Sequence, residues 1–358
     1  MTDQQHRTDA ARAALEAVPL PAGGTLGASG RVSGFSFAQG RVIASITIAP
    51  EEAQAFAAVR EAAQAALLAT PGVAAALVAL TSERSSAPAA PPPHPAPAAP
   101  AGKKPPVLPD VTHVVAVASG KGGVGKSTTT VNLALGLRAL GLKVGILDAD
   151  IYGPSLPTLL GLRGQPKVGA DRKLAPMQAY GLKVMSIGLL VDEETAMIWR
   201  GPMVMSAITQ MLAEVEWGRL DFLLVDMPPG TGDAQLAIAQ GARLSGAVIV
   251  STPQDLSLID ARRGVAMFRK VDVPILGIVE NMSHFICTDC GARHAIFGEG
   301  GAEAEAKRIG APFLGAVPLT MELRRASDLG QPVTALDPDG VTGRIFVEIA
   351  GRLRERLS

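Results

Sequence analysis

From residue 111 onward, short and almost wholly apolar runs alternate with longer segments whose apolar positions recur every three or four residues. The short runs are rich in β-branched residues: Val114–Ser119, Lys143–Asp148, Leu182–Gly188, Phe222–Asp226, Ala247–Thr252, Ile275–Asn281 and Phe313–Pro318. Helical periodicity falls between most of them, as in Thr128–Leu140 and Leu256–Lys270. Strands without polar alternation are buried on both faces. The pattern therefore predicts an α/β domain over 111–358, a mostly parallel sheet covered by helices on both faces. Ligands of such sheets bind at the carboxyl ends of the strands.

Upstream the pattern is different. Asp9–Val18 reads as a helix, and Val32–Ser36 and Arg41–Ile48 as strands. Pro50 and Glu51 open a helix running to about Ala69, and Val73–Leu80 is a last strand. This predicts a small α+β domain over 1–83. Residues 84–110 are dominated by alanine and proline. Proline continues neither a helix nor a sheet ladder, so this stretch is expected to be an extended linker.

Composition narrows the field. With 358 residues, 47% of them hydrophobic, there is material for two domains and a large core. The 33 basic side chains balance the 33 acidic ones, which counts against a general grip on nucleic acid. No apolar run reaches the length of a membrane span, and Met1–Arg12 is polar and mixed in charge, unlike a secretory signal. Two cysteines exclude a disulfide scaffold and fit a reducing compartment, so the cytoplasm is expected.

The candidate chemistry clusters where the sheet would end. After Val114–Ser119 comes Gly120-Lys121-Gly122-Gly123-Val124-Gly125-Lys126-Ser127-Thr128. Gly120, four residues, Gly125, Lys126 and Ser127 fit a phosphate-binding P-loop. Glycines let the backbone fold around a polyphosphate with N–H groups inward, and the helix that follows adds its positive end. Lys126 would reach the outer phosphates, and Ser127 would place a hydroxyl on Mg²⁺. Lys121 is either a solvated loop charge or an ammonium able to reach phosphates bound by a partner subunit.

Asp148 and Asp150 end a strand one residue apart, on the same side if the chain stays extended. Asp150 is the candidate for orienting the attacking water; Asp148 reads equally as catalytic or as capping the next turn. Phe222-Leu-Leu-Val-Asp226 is an apolar strand ending in a carboxylate that would serve Mg²⁺ through water. Pro228-Pro-Gly230-Thr-Gly232-Asp follows, with glycines that allow close approach to the γ-phosphate. Asn281 has donor and acceptor suited to the adenine edge, and reads also as a turn residue. Cys287 and Cys290 form a Cys-x-x-Cys flanked by His284 and His294. The pair suits an iron–sulfur cluster, a Cys₂His₂ zinc site or a redox couple. A four-iron cluster held by cysteine alone would need two chains.

The loop with its second lysine resembles the deviant Walker A of the MinD/ParA ATPases, in which that lysine acts across a dimer. With Asp-Ala-Asp-Ile-Tyr-Gly-Pro-Ser, Met197-Ile-Trp-Arg-Gly-Pro-Met203, Asp-Met-Pro-Pro-Gly-Thr-Gly-Asp and Glu-Asn-Met-Ser before Cys-x-x-Cys-Gly, residues 111–340 resemble the Mrp/ApbC family of iron–sulfur cluster carriers. The resemblance implies an ATP-hydrolysing homodimer that bridges a [4Fe-4S] cluster and transfers it to apoproteins. On it, Gly120 to Thr128 hold phosphates, with Lys121 as the signature lysine. Ser127 and Asp226 serve Mg²⁺, Asp150 serves hydrolysis, Asn281 serves adenine, and Cys287 with Cys290 hold the cluster. The N-terminal region resembles a MIP18-like domain without that domain's cysteine, which suggests docking. The competing function is a MinD/ParA-like positioning ATPase that switches membrane or DNA binding. Val341–Ser358, amphipathic and arginine-rich, would then be a membrane-targeting helix in place of a core-packing one.

Overall fold

The computed structural model describes residues 3–21, 23–38, 40–49, 52, 54–82, 108–169, 173–190 and 201–357. The linker (84–107 of it), Pro50, Glu51 and the first part of Met197–Met203 lie outside these. The described residues form two compact units, 3–82 with 201–207 and 108–190 with 208–357.

In the small unit, α1 (Asp3–Glu16) precedes β1 (Val32–Ala38), β2 (Arg41–Ile48), α2 (Phe56–Leu68) and β3 (Ala75–Ser82). The sheet order is β1-β2-β3, antiparallel and then parallel. The parallel step requires a crossover, which α2 provides. Leu15, Leu26, Ile46 and Leu67 are fully buried in its core. The predicted helix ends two residues early because Pro19 disfavours helical backbone at Val18. The last strand starts at Ala75, after a turn through Gly72 (φ 87°).

The remaining elements are β4 (Val111–Ala118), α3 (Lys126–Ala139), β5 (Val144–Asp148), α4 (Leu156–Leu159), β6 (Met177–Ala179), β7 (Leu182–Ser186), α5 (Gly201–Ala213), β8 (Leu220–Asp226) and α6 (Asp233–Gly241). There follow β9 (Gly246–Ser251), α7 (Asp255–Lys270), β10 (Ile275–Ile286), β11 (Arg293–His294), α8 (Gly301–Ile309), β12 (Phe313–Leu319), α9 (Met321–Asp328), α10 (Val333–Leu336) and α11 (Val341–Glu355). They build a nine-stranded sheet, ordered β11-β10-β9-β4-β8-β5-β7-β6, with β12 also on β10. All pairings are parallel except β6 on β7 and β11 on β10. The expected α/β architecture is thus present, with antiparallel strands only at its margins.

Two departures matter for the site. β10 runs five residues past Asn281, because a left-handed residue, Met282 (φ 55°), redirects it into a hairpin with β11. And α11 buries Phe346, Ile349 and Leu353. It packs on α3 at Gly136, where an added Cβ would lie 2.7 Å from the Phe346 carbonyl. The amphipathic terminus is a core helix with most of its apolar stripe covered and only Val341, at its start, largely exposed; burying each large side chain is worth about 2 kcal/mol. Among the described residues, no helix is long and apolar enough to cross a membrane.

Candidate nucleotide and thiol sites

Loop 119–125 leaves the carboxyl end of β4 and enters α3. The Ser119 hydroxyl donates to the Lys121 carbonyl at 2.8 Å and closes the first turn. Gly120 lies so close to the Asp260 backbone of α7 that no side chain fits. Gly123 (φ 79°) and Gly125 (φ 76°) take left-handed backbone that other residues resist. No side chain caps the start of α3, so the helix presents free N–H groups there. They border a cavity of about 260 Å³ lined by Gly122, Gly123, Gly125, Lys126, Ser127, Thr128 and Asp150. The Lys121 side chain is half-exposed and does not line this cavity.

A second cavity of about 350 Å³ shares Gly125, Thr128, Ser155 and Leu159 with the first and extends to Asn281, Met282 and Arg324. A polyphosphate in one and a base in the other fit a nucleotide. Asn281, at the end of β10, donates through Nδ2 to the Val124 carbonyl at 2.8 Å. It therefore braces the loop as well as lining the second cavity.

Behind Ser127 stands Asp226, fully buried at the end of β8. Its Oδ1 accepts from Lys126 Nζ and from the Thr130 hydroxyl, both at 2.8 Å; its Oδ2 accepts from the Ser127 hydroxyl at 2.5 Å. A hydroxyl on the cavity wall with a carboxylate behind it is a hard-oxygen donor set that fits Mg²⁺. Lys126 Nζ also lies 3.9 Å from Asp150 Oδ2. Burial raises the Asp150 carboxyl above the ordinary range, Lys126 opposes this, and the Asp226 charge adds to it.

The two aspartates at the end of β5 do not share a face. The strand stops at Asp148, and the chain turns at once, Ile151 N–H donating to the Ala149 carbonyl at 3.1 Å. Asp150 lines the first cavity. Asp148 is fully buried and accepts from the Asp150 N–H (3.1 Å), the Leu156 N–H (3.3 Å) and the Ser186 hydroxyl (3.0 Å). Of its two readings, capping is what the structure contains. Burial, and then the Asp226 charge, push its carboxyl up to about 8. In the segment after β8, Gly230 (φ 97°) donates its N–H to the Ser119 carbonyl at 3.0 Å, tying that segment to the P-loop.

Cys287 and Cys290 are free and lie at the tip of the β10–β11 hairpin, Cys290 exposed and Cys287 half-buried. The tip is a tight turn: Gly291 (φ 72°) donates to the Cys287 carbonyl, and Cys287 N–H to Ala292, both at 2.9 Å. The Cys287 thiol is held below its usual range by the N–H groups of Cys290 and Asp289 and by the Cys290 thiol, against a small burial effect. His284 Nδ1 is engaged with the Ser283 hydroxyl (3.0 Å) and Arg293 (3.3 Å). Among the described residues no three of His, Cys, Asp or Glu gather as a metal site.

Sequence reasoning missed Thr130, Met282 and Arg324. Thr130 carries only the faint signal of a fourth consecutive hydroxyl, one turn into the P-loop helix. The other two come to the second cavity from β10 and α9, with no local motif.

A parallel sheet with a P-loop after its first large-unit strand and a carboxylate at the end of β8 defines a P-loop NTPase of the ParA/MinD type. Solved structures agree. The nucleotide-binding protein of Archaeoglobus fulgidus, determined with ADP, is 43% identical, covering 62% of this chain and 88% of its own, with a TM-score of 0.56. The cell-division ATPase MinD of Pyrococcus furiosus has the same fold at 23% identity and a TM-score of 0.51, covering 68% and 99%. More narrowly, the chain belongs to the family described as NUBPL iron-transfer P-loop NTPase, whose model matches residues 110–354. Residues 8–78 match the model for iron–sulfur cluster assembly protein. The iron–sulfur cluster carrier protein of Escherichia coli (strain K12) is 52% identical over 256 residues, 71% of this chain and 69% of that one. The iron–sulfur cluster transfer protein NUBPL of Mus musculus is 51% identical over 249 residues, 69% and 78% of the two chains.

Proposed function

We propose that the protein is an ATP-dependent iron–sulfur cluster carrier. Two copies hold a [4Fe-4S] cluster between their Cys287 and Cys290 pairs, hydrolyse ATP, and pass the cluster to apoproteins in the cytoplasm. The observation that carries this is the cysteine turn itself: two thiols at an accessible tip, one sulfur stabilised as thiolate by two backbone N–H groups. Two thiolates are half a cluster's usual complement. A cluster so held is exposed and weakly chelated, as cargo should be. The turn also extends the strand whose Asn281 braces the P-loop, a direct path between the nucleotide and the cargo.

In hydrolysis, Gly120 to Thr128 cradle the phosphates and Asn281 faces the adenine. Lys126 leaves Asp226 for the outer phosphates, drawn by their higher charge. Ser127 and Asp226 would hold Mg²⁺, which neutralises charge on the phosphates when bound. Asp150, its proton affinity raised by burial, orients the attacking water and accepts a proton from it. Lys121, at the loop edge, stabilises the transferring phosphoryl group in the partner's site. The small N-terminal unit, without cysteine, is a docking module.

The test is anaerobic reconstitution of wild type and Cys287→Ala with iron and sulfide. The wild type should become a brown dimer with about two irons per chain, and the variant should lose the visible absorption. A colourless protein with one tight zinc per monomer would overturn the carrier reading.

A further inference from the structure

Asp226 has three side-chain donors, and they are not equivalent. Lys126 and Ser127 both line the phosphate cavity, and both are claimed by nucleotide and Mg²⁺ in the proposed function, on which this inference rests. Thr130 is different. It sits one turn deeper in α3, fully buried and outside the cavity, with its hydroxyl 2.8 Å from Asp226 Oδ1. The same hydroxyl lies 3.0 Å from the Lys126 carbonyl, the usual back-bond of a helical threonine. It carries one proton, and the charged acceptor is both closer and stronger.

We propose that Thr130 is a positioning residue that fixes the Asp226 carboxylate for Mg²⁺. When Lys126 turns to the phosphates, Thr130 is the side-chain donor left on Oδ1. It keeps the carboxylate plane set so that Oδ2 stays behind Ser127. Without it a buried carboxylate would lose its last fixed partner at the moment the cation arrives, and would rotate or draw Lys126 back.

The test uses the full chain and a fluorescent ADP analogue, titrated with MgCl₂ or held in EDTA. Thr130→Val removes the hydroxyl at constant shape, Thr130→Ala removes it with a better helix former, and Thr130→Ser keeps it. In EDTA all three should bind the analogue within about twofold of wild type, since the P-loop is untouched. In Mg²⁺ the half-saturating concentration should rise about tenfold for Val and Ala and return to within about twofold for Ser, the scale seen when a ligand's supporting partner is lost. Wild-type Mg²⁺ dependence in Thr130→Val or in Thr130→Ala would overturn the proposal and leave the hydroxyl a helix back-bond. So would a shift in Thr130→Ser as large as in Val. Asp226→Asn separates the levels: if it too keeps wild-type Mg²⁺ dependence, the magnesium assignment has failed, and Thr130 with it.

Discussion

Gly125 stands where the P-loop, the helix dipole and Asn281 meet, so Gly125→Ala tests whether the loop is built as described. Its φ of 76° is left-handed, which costs a residue with a side chain about 1–2 kcal/mol. The new methyl group would also collide with Asn281 Nδ2. That nitrogen donates to the buried Val124 carbonyl at 2.8 Å, and Asn281 is itself only 4% exposed. Displacing it leaves a buried carbonyl unpaired, worth about 1–3 kcal/mol. Together the penalty is roughly 2–5 kcal/mol, or roughly 4–20 °C in Tm for a domain of this size. Gly122→Ala is the control, since nothing lies within 4 Å of its added Cβ and its φ is not in the left-handed region. Thermal unfolding without nucleotide reads both, and a fluorescent ADP analogue reads whether the loop survives. Gly125→Ala should melt lower and bind the analogue at least tenfold more weakly; Gly122→Ala should melt like wild type. Equal melting of Gly125→Ala and wild type, with unchanged analogue binding, would refute the geometry of loop and brace together.

Lys126→Ala should abolish phosphate release while leaving iron content after reconstitution at wild type. It should also lower stability by about 3–5 kcal/mol in urea, because it strips the cation from a fully buried Asp226. Asp148 gives a pH prediction. Its carboxyl lies near 3.9 unfolded and at about 8 folded, so the native state retains the proton between the two. The stability it confers is complete below about pH 4 and lost as pH rises through about 8. Asp148→Asn cannot titrate there. The unfolding free energy of wild type minus variant should therefore fall between pH 5 and 8, by at most about 1.4 kcal/mol per unit; a difference that grows with pH would contradict the burial of this carboxyl. Glu280 accepts from the N–H groups of Gly300 (3.1 Å) and Ala302 (2.7 Å) at the start of α8. Glu280→Ala should cost about 1–2 kcal/mol and speed amide exchange in the first turn of that helix.

Those residues also mark where reading a sequence succeeds. The P-loop is spelled by neighbours: glycines for left-handed turns, then lysine and serine on the first turn of α3, all within nine positions. The same locality exposes the apolar strand ending at Asp226 and the paired cysteines. What stayed hidden spans long separations. Thr130 reaches an aspartate 96 residues away, and Asn281 a carbonyl 157 residues away. Neither partner changes the local pattern around the other, so nothing in either segment announces the bond.

Asp148 and Asp150 show a subtler failure. Their spacing put both on one side only if the chain stayed extended, and it does not. A capping carboxyl group accepts from the backbone N–H groups of Asp150 and Leu156, draws them inward and ends the strand beneath itself. The residue that read equally as a catalytic group or as a cap is thus, as a cap, the reason Asp150 reaches the phosphate cavity. Substituting Asp148 should therefore damage catalysis through Asp150, lowering kcat more than it raises the KM for ATP. A variant at Asp148 with an intact kcat would mean that loop 149–156 holds its shape without the buried carboxyl.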